Sequence, residues 1–143
     1  MKLLSALVGI MGLSILAIAV NAQTSQPHPY KVVFDLTSSD PIDQQAVIRW
    51  INEVKAVNPR TETEVVMYGR GLDLVVVGKT SRAADVAKAV GDLRAHFLVC
   101  AIAMKNQQVD KSQLLPDVEI VSDGIGEIVA RQSAGWGYIK VGH

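Results

Sequence analysis

The chain has 143 residues, with 14 Lys+Arg against 14 Asp+Glu and a single cysteine. A balanced charge without a basic run leaves no electrostatic footprint for nucleic acid, and a lone cysteine cannot close an internal disulfide, so stability has to come from packing. The positive mean hydropathy is raised by the first 22 residues and does not describe a membrane protein.

Lys2 supplies a positive start, Leu3 to Val20 is an almost unbroken apolar run, and Val20-Asn21-Ala22 offers a signal peptidase its small residues. This predicts a signal peptide over residues 1–22, cleaved after Ala22, and a periplasmic or secreted protein. The competing reading is an uncleaved anchor, because 18 apolar residues reach the lower edge of spanning length. No cysteine lies near the cut, which excludes lipoprotein attachment. Cleavage leaves 121 residues of net charge −1, enough for one domain with a real core but not two.

Residues 23–29, QTSQPHP, read as a flexible lead-in, and residues 30–143 as a single domain. Tyr30 to Leu36 is a compact apolar, β-branched run, the signature of a strand buried on both faces of a parallel sheet. Asp40 then suits an N-cap, Pro41 the first helical position and Asp43 the positive end of the dipole. Val47, Trp50, Ile51, Val54 and Val57 recur at helical spacing, and the helix should stop near Asn58, before Pro59.

Glu64 to Tyr68 reads as a second strand, followed by Gly69-Arg70-Gly71 and a further β-branched run, Leu74 to Val77. Two glycines around an arginine suggest a phosphate loop, but neither a third glycine nor a Gly-Lys-Ser/Thr follows, so a tight backbone turn is the better use of Gly69 and Gly71. Ser81 can cap a helix running to about Ala95.

His96-Phe97-Leu98-Val99 then leads into Cys100 and the helix formers Ala101 to Met104, a strand-to-helix junction with the thiol at its carboxyl edge. Reactive groups gather outside the carboxyl ends of strands in open α/β sheets, and N–H groups opening a helix favour a thiolate. Packing as a small buried hydrophobe is the equal alternative for Cys100. Arg70 and Lys105 are the cations that could activate the thiol.

Asn106 to Asp117 is polar with room for one helical turn, Val118 to Val121 a short strand, Ile125 to Gln132 a last helix ended by Gly135, and Trp136 to Val141 a terminal strand. Strands alternating with helices specify an α/β protein: a three-layer α/β/α sandwich on a mainly parallel sheet.

The three histidines make no site. His28 and His143 lie near the ends of the mature chain, and His96 stands four strand residues from Cys100, ~13 Å, beyond hydrogen-bond reach. No ligand spacing suggests a metal, and no nucleophile elbow suggests a serine hydrolase.

From Tyr30 to about Lys140 the chain resembles the DsrE/DsrF-like family, in particular its exported branch. The likeness rests on Lys31-Val32-Val33-Phe34, Asn52, Val65-Val66-Met67-Tyr68-Gly69 with Gly71-Leu72, Phe97-Leu98-Val99-Cys100, Asp123-Gly124-Ile125-Gly126-Glu127 and Gln132 to Lys140. It implies a flavodoxin-like sandwich of about five strands, assembled as a homotrimer or homohexamer. It also implies a sulfur carrier or sulfurtransferase-like protein in which Cys100 holds a persulfide and exchanges sulfur with donor and acceptor proteins or small sulfur compounds; with the residue reading above, Gly69, Arg70, Gly71 and Lys105 are the expected substrate-binding residues, and no cofactor is expected. Export argues against a tRNA-thiolation role. Where many relatives carry an Asn and a small hydroxyl residue after the cysteine, this chain has Ala101-Ile102-Ala103. The alternative is a non-catalytic oligomeric binding module in which Cys100 is packing and a cleft near Gly69 to Leu72 and Trp136 to Tyr138 does the work.

Overall fold

The computed structural model describes residues 28–142; the expected signal peptide, most of the lead-in and His143 lie outside the described residues. In chain order the elements are β1 (Lys31–Leu36), α1 (Pro41–Val57), β2 (Glu62–Met67), a 3-10 segment (Gly69–Val75), α2 (Ala83–Gly91), β3 (His96–Cys100), α3 (Ala101–Asn106), a 3-10 turn (Lys111–Gln113), β4 (Glu119–Val121), α4 (Gly124–Ser133) and β5 (Gly137–Val141).

The five strands form one sheet in the order β4-β3-β2-β1-β5, every pairing parallel. The first three crossovers step outward from β1 to β4, and the last returns across the sheet to add β5 on the other side of β1. The expected three-layer α/β/α sandwich is therefore the observed fold, and the point where strand order reverses falls at β1.

The local signals explain the helix ends. Asp40 accepts a hydrogen bond from the Ile42 N–H at 2.8 Å, Pro41 opens α1, and the Asn58 N–H closes it on the Val54 carbonyl at 3.1 Å. Asp123 caps α4 in the same way through the Ile125 N–H at 3.0 Å.

Two stretches depart from the sequence reading. Leu74 to Val77 does not become a sheet strand: Leu74 and Val75 lie in the 3-10 segment, and Val76 makes only an isolated antiparallel bridge to Leu114. Leu74, Val75 and Val76 are buried in the core instead, while Val77 is exposed, an instance of packing overriding strand propensity. The second helix starts at Ala83 and ends at Gly91, short of Ala95. It is the Thr80 hydroxyl, not Ser81, that accepts the Arg82 N–H at 2.9 Å, and the chain then leaves through Arg94 at a positive φ of 52°.

Side chains alternate across the sheet. Val32, Phe34 and Leu36 of β1, Val65 and Met67 of β2, and Phe97 and Val99 of β3 pack with α1, α2, α3 and the 3-10 segment in the larger core. Val33, Val66 and Leu98 face the other way and meet Ile128 of α4 in a much smaller one. Near-continuous burial of β1, β2 and β3 follows from cover on both faces.

Candidate functional site

Cys100 is the last residue of β3 and the residue preceding α3, so the strand-to-helix junction read from the sequence is present. Its side chain is 5 % exposed and lines a cleft of about 200 Å³ with Tyr68, Gly69, Ile102, Ala103, Asn106, Asp123 and Ile125. The thiol is thus packed on one side and faces a small open cleft on the other. Asp123 is the one formally charged side chain among those lining residues.

Three elements shape the cleft. Gly124, the first residue of α4, lies against the thiol-bearing side chain: a Cβ there would stand 3.1 Å from the Cys100 Cβ and 3.4 Å from the Tyr68 ring. Gly69 adopts φ 53°, a left-handed conformation that glycine takes without strain, and its carbonyl accepts a hydrogen bond from the Gln107 side chain. Gly71 has a different duty, since a Cβ there would stand only 2.0 Å from the Leu36 carbonyl oxygen. It lets the chain pass over the end of β1, which is the tight-turn role expected of it.

The remaining residues singled out from sequence lie apart from the sulfur's walls. Arg70 is exposed and pairs with Asp73 at 2.8 Å, and Asp73 also holds Lys79 at 3.2 Å. Lys105 is exposed on α3. Neither Arg70, Gly71 nor Lys105 lines the cleft. His96 sits at the opposite end of β3 from Cys100 and faces Glu119 at 2.7 Å, as its spacing required. Among the described residues no cluster of His, Cys, Asp and Glu could hold a metal, and no helix is long and apolar enough to cross a membrane.

Tyr68 connects the cleft to a buried carboxylate that sequence reasoning missed. Asp35, at the carboxyl end of β1 where strand order reverses, is 4 % exposed. It accepts hydrogen bonds from the Tyr138 hydroxyl at 2.7 Å, the Tyr68 hydroxyl at 3.3 Å and the Lys140 ammonium at 3.3 Å; Lys140 also donates to the Thr37 hydroxyl at 2.8 Å. Hydrogen bonding to Asp35, with burial and its negative charge, pushes the Tyr138 pKa up to about 12. Burial raises that of Tyr68 as well, followed by Asp35 and then Cys100. Both phenols are therefore firmly protonated donors, and one of them forms a wall of the cleft. The available signal was the period of two: Tyr138 and Lys140 alternate along β5 beside Asp35 of β1, and Tyr68 directly follows β2, but only the strand order brings them together. Asn106 and Asp123 were equally hard to assign, because a helix end and an N-cap look structural in sequence.

The profile of the DsrE/DsrF-like family matches residues 31–141, and the chain belongs to that family. Among solved structures it is similar to MTH1491, a protein of unknown function from Methanobacterium thermoautotrophicum, with 30 % identity and a TM-score of 0.74 over 78 % of this chain and 98 % of that one. No curated protein matches the chain significantly. Membership supports a sulfur-relay type of function at the level of the family.

Proposed function

We propose that this protein is an exported sulfur carrier, sulfurtransferase-like in its chemistry, that holds a persulfide on Cys100. The observation that carries the reading is the position of the one thiol, at the carboxyl end of β3 on the wall of an open cleft. The Cys100 thiolate attacks the outer sulfur of a donor persulfide; the donor S–S bond breaks, its thiolate departs, and Cys100 keeps the outer sulfur as Cys–S–S⁻. An acceptor thiolate then attacks that terminal sulfur and restores Cys100. The sulfur moves at its original oxidation level, so neither an oxidant nor a cofactor enters. A persulfide is one sulfur longer than a thiol, and about 200 Å³ in front of Cys100 leaves room for it. Asn106 and the Gly69 backbone line the space it would occupy; Arg70, Gly71 and Lys105, outside that lining, act on the docked partner.

Export through residues 1–22 and assembly as a homotrimer or homohexamer belong to the same reading. Apolar Ile102 and Ile125, 54 % and 60 % exposed, flank the cleft and support an assembly that covers its mouth. Incubation of the purified protein with polysulfide, followed by intact mass measurement, is expected to show a gain of one sulfur that a Cys100→Ser variant lacks. A parent protein that gains no sulfur sinks the proposal.

The 5 % exposure of Cys100 favours a second reading, an oligomeric binding module with an inert thiol. Thiol labelling decides between them: Cys100 reacting only after denaturation selects the module.

A further inference from the structure

The amino ends of the strands carry a second concave region, on the edge of the sheet opposite Cys100. A cavity of about 560 Å³ between the ends of α1 and α2 and another of about 440 Å³ at the start of β2 share Lys55, Pro59, Arg60 and Arg94, and so form two lobes of one groove. Lys55 is only 7 % exposed, yet among the described residues neither Lys55, Arg60 nor Arg94 forms an ion pair. Glu62, the carboxylate that most favours the Lys55 charge, is committed to Lys31 at 2.9 Å. Burial pushes the Lys55 pKa down, and Arg94 adds to that. Asp92 is the one carboxylate lining the larger lobe, against three cations.

Three like charges lining one groove repel one another and favour an anion placed between them. The negative ends of the α1 and α2 dipoles explain why cations gather at this edge. They do not explain why Lys55, Arg60 and Arg94 all line the same two lobes, since cations spread over the surface would serve a dipole equally well. Arginine forks at Arg60 and Arg94 add planar donors suited to tetrahedral or carboxylate oxygens, while Ala56, Pro59 and Leu93 give the larger lobe an apolar wall.

We infer that this groove binds a small oxyanion, free or as the charged end of an organic molecule, with Lys55, Arg60 and Arg94 as its cationic contacts. The site is separate from the Cys100 cleft and does not depend on sulfur transfer.

The test is a titration of the purified protein with inorganic phosphate, inorganic sulfate and phenyl phosphate against chloride at constant ionic strength, following the thermal midpoint and isothermal heats. The parent is expected to be stabilised by the oxyanions beyond the chloride control. Arg60→Gln and Arg94→Gln, both surface changes, should each weaken binding ~tenfold, the loss of one charge-assisted contact. Lys55→Met should abolish the response while leaving the midpoint in chloride no lower than the parent's. Phenyl phosphate binding more tightly than phosphate identifies an organic ester as the ligand class; equal affinities identify the free ion. A parent whose midpoint follows ionic strength alone overturns the inference. So does a Lys55→Met protein that binds as the parent does, or one destabilised in chloride, which would make Lys55 a structural partner of Glu62.

Discussion

Of the two faces of the sheet, the one under α1, α2 and α3 is filled with apolar side chains, among them Phe34, Leu36, Ile51, Met67 and Phe97. The face under α4 buries Val33, Val66, Leu98 and Ile128 beside two carboxylates, Asp35 and Glu64. Each carboxylate is compensated from the elements that cover it: Asp35 by Tyr138 and Lys140 of β5, and Glu64 by Arg131 of α4 at 2.9 Å, with Arg131 also holding Glu127 at 2.8 Å. One face supplies stability through area removed from water. The other surrenders part of that area to polar groups, and it is from this side that Tyr68, Asp123 and Ile125 reach the Cys100 cleft.

The sharpest way to break the comparison is at Gly71, where the larger core closes over the end of β1. Gly71→Ala places a methyl 2.0 Å from the Leu36 carbonyl oxygen, and because backbone must move, the expected loss is ~4 kcal/mol or more. Urea unfolding of the purified variant measures it.

A matched pair probes the faces directly. Phe97→Ala, on the deep face and wholly buried, should cost ~3–5 kcal/mol, whereas Ile128→Ala, 7 % exposed and packed in the small cluster, should cost ~2 kcal/mol. Equal losses in denaturant titrations would mean that α4 covers as well as the other three helices together.

The smallest effect is the most diagnostic of the polar face. Burial raises the Glu64 pKa above its ordinary value of 4.5, so near and above that value the folded chain holds a proton that the unfolded chain releases. The stabilising contribution of that proton is full below 4.5 and lost as pH rises through the folded pKa. Glu64→Gln should therefore be more stable than the parent at neutral pH, by up to ~1 kcal/mol, since Arg131 keeps Glu127. That advantage should shrink as pH falls toward 4.5. An advantage that instead grows on acidification would mark the Glu64–Arg131 pair as net stabilising.

Much of this was written in the order of residues. Alternating β-rich and helical segments, Asp40-Pro41 opening α1 and the continuous apolar runs of β1 and β3 fix an α/β sandwich, because caps and hydrophobic periods are local and act before distant contacts form. The junction at Cys100 was legible for the same reason. Tertiary structure alone decided that Leu74, Val75 and Val76 are packed into the core rather than added to the sheet. It alone carries β5 back beside β1, which buries Asp35 under Tyr138 and Lys140 and makes Tyr68 a wall of the cleft. It alone leaves Arg70 and Lys105 out of the lining of the thiol's cleft and gathers Lys55, Arg60 and Arg94 at the amino ends of the strands. Those outcomes depend on strand order and on which face each residue presents, and neither is set by neighbours along the chain.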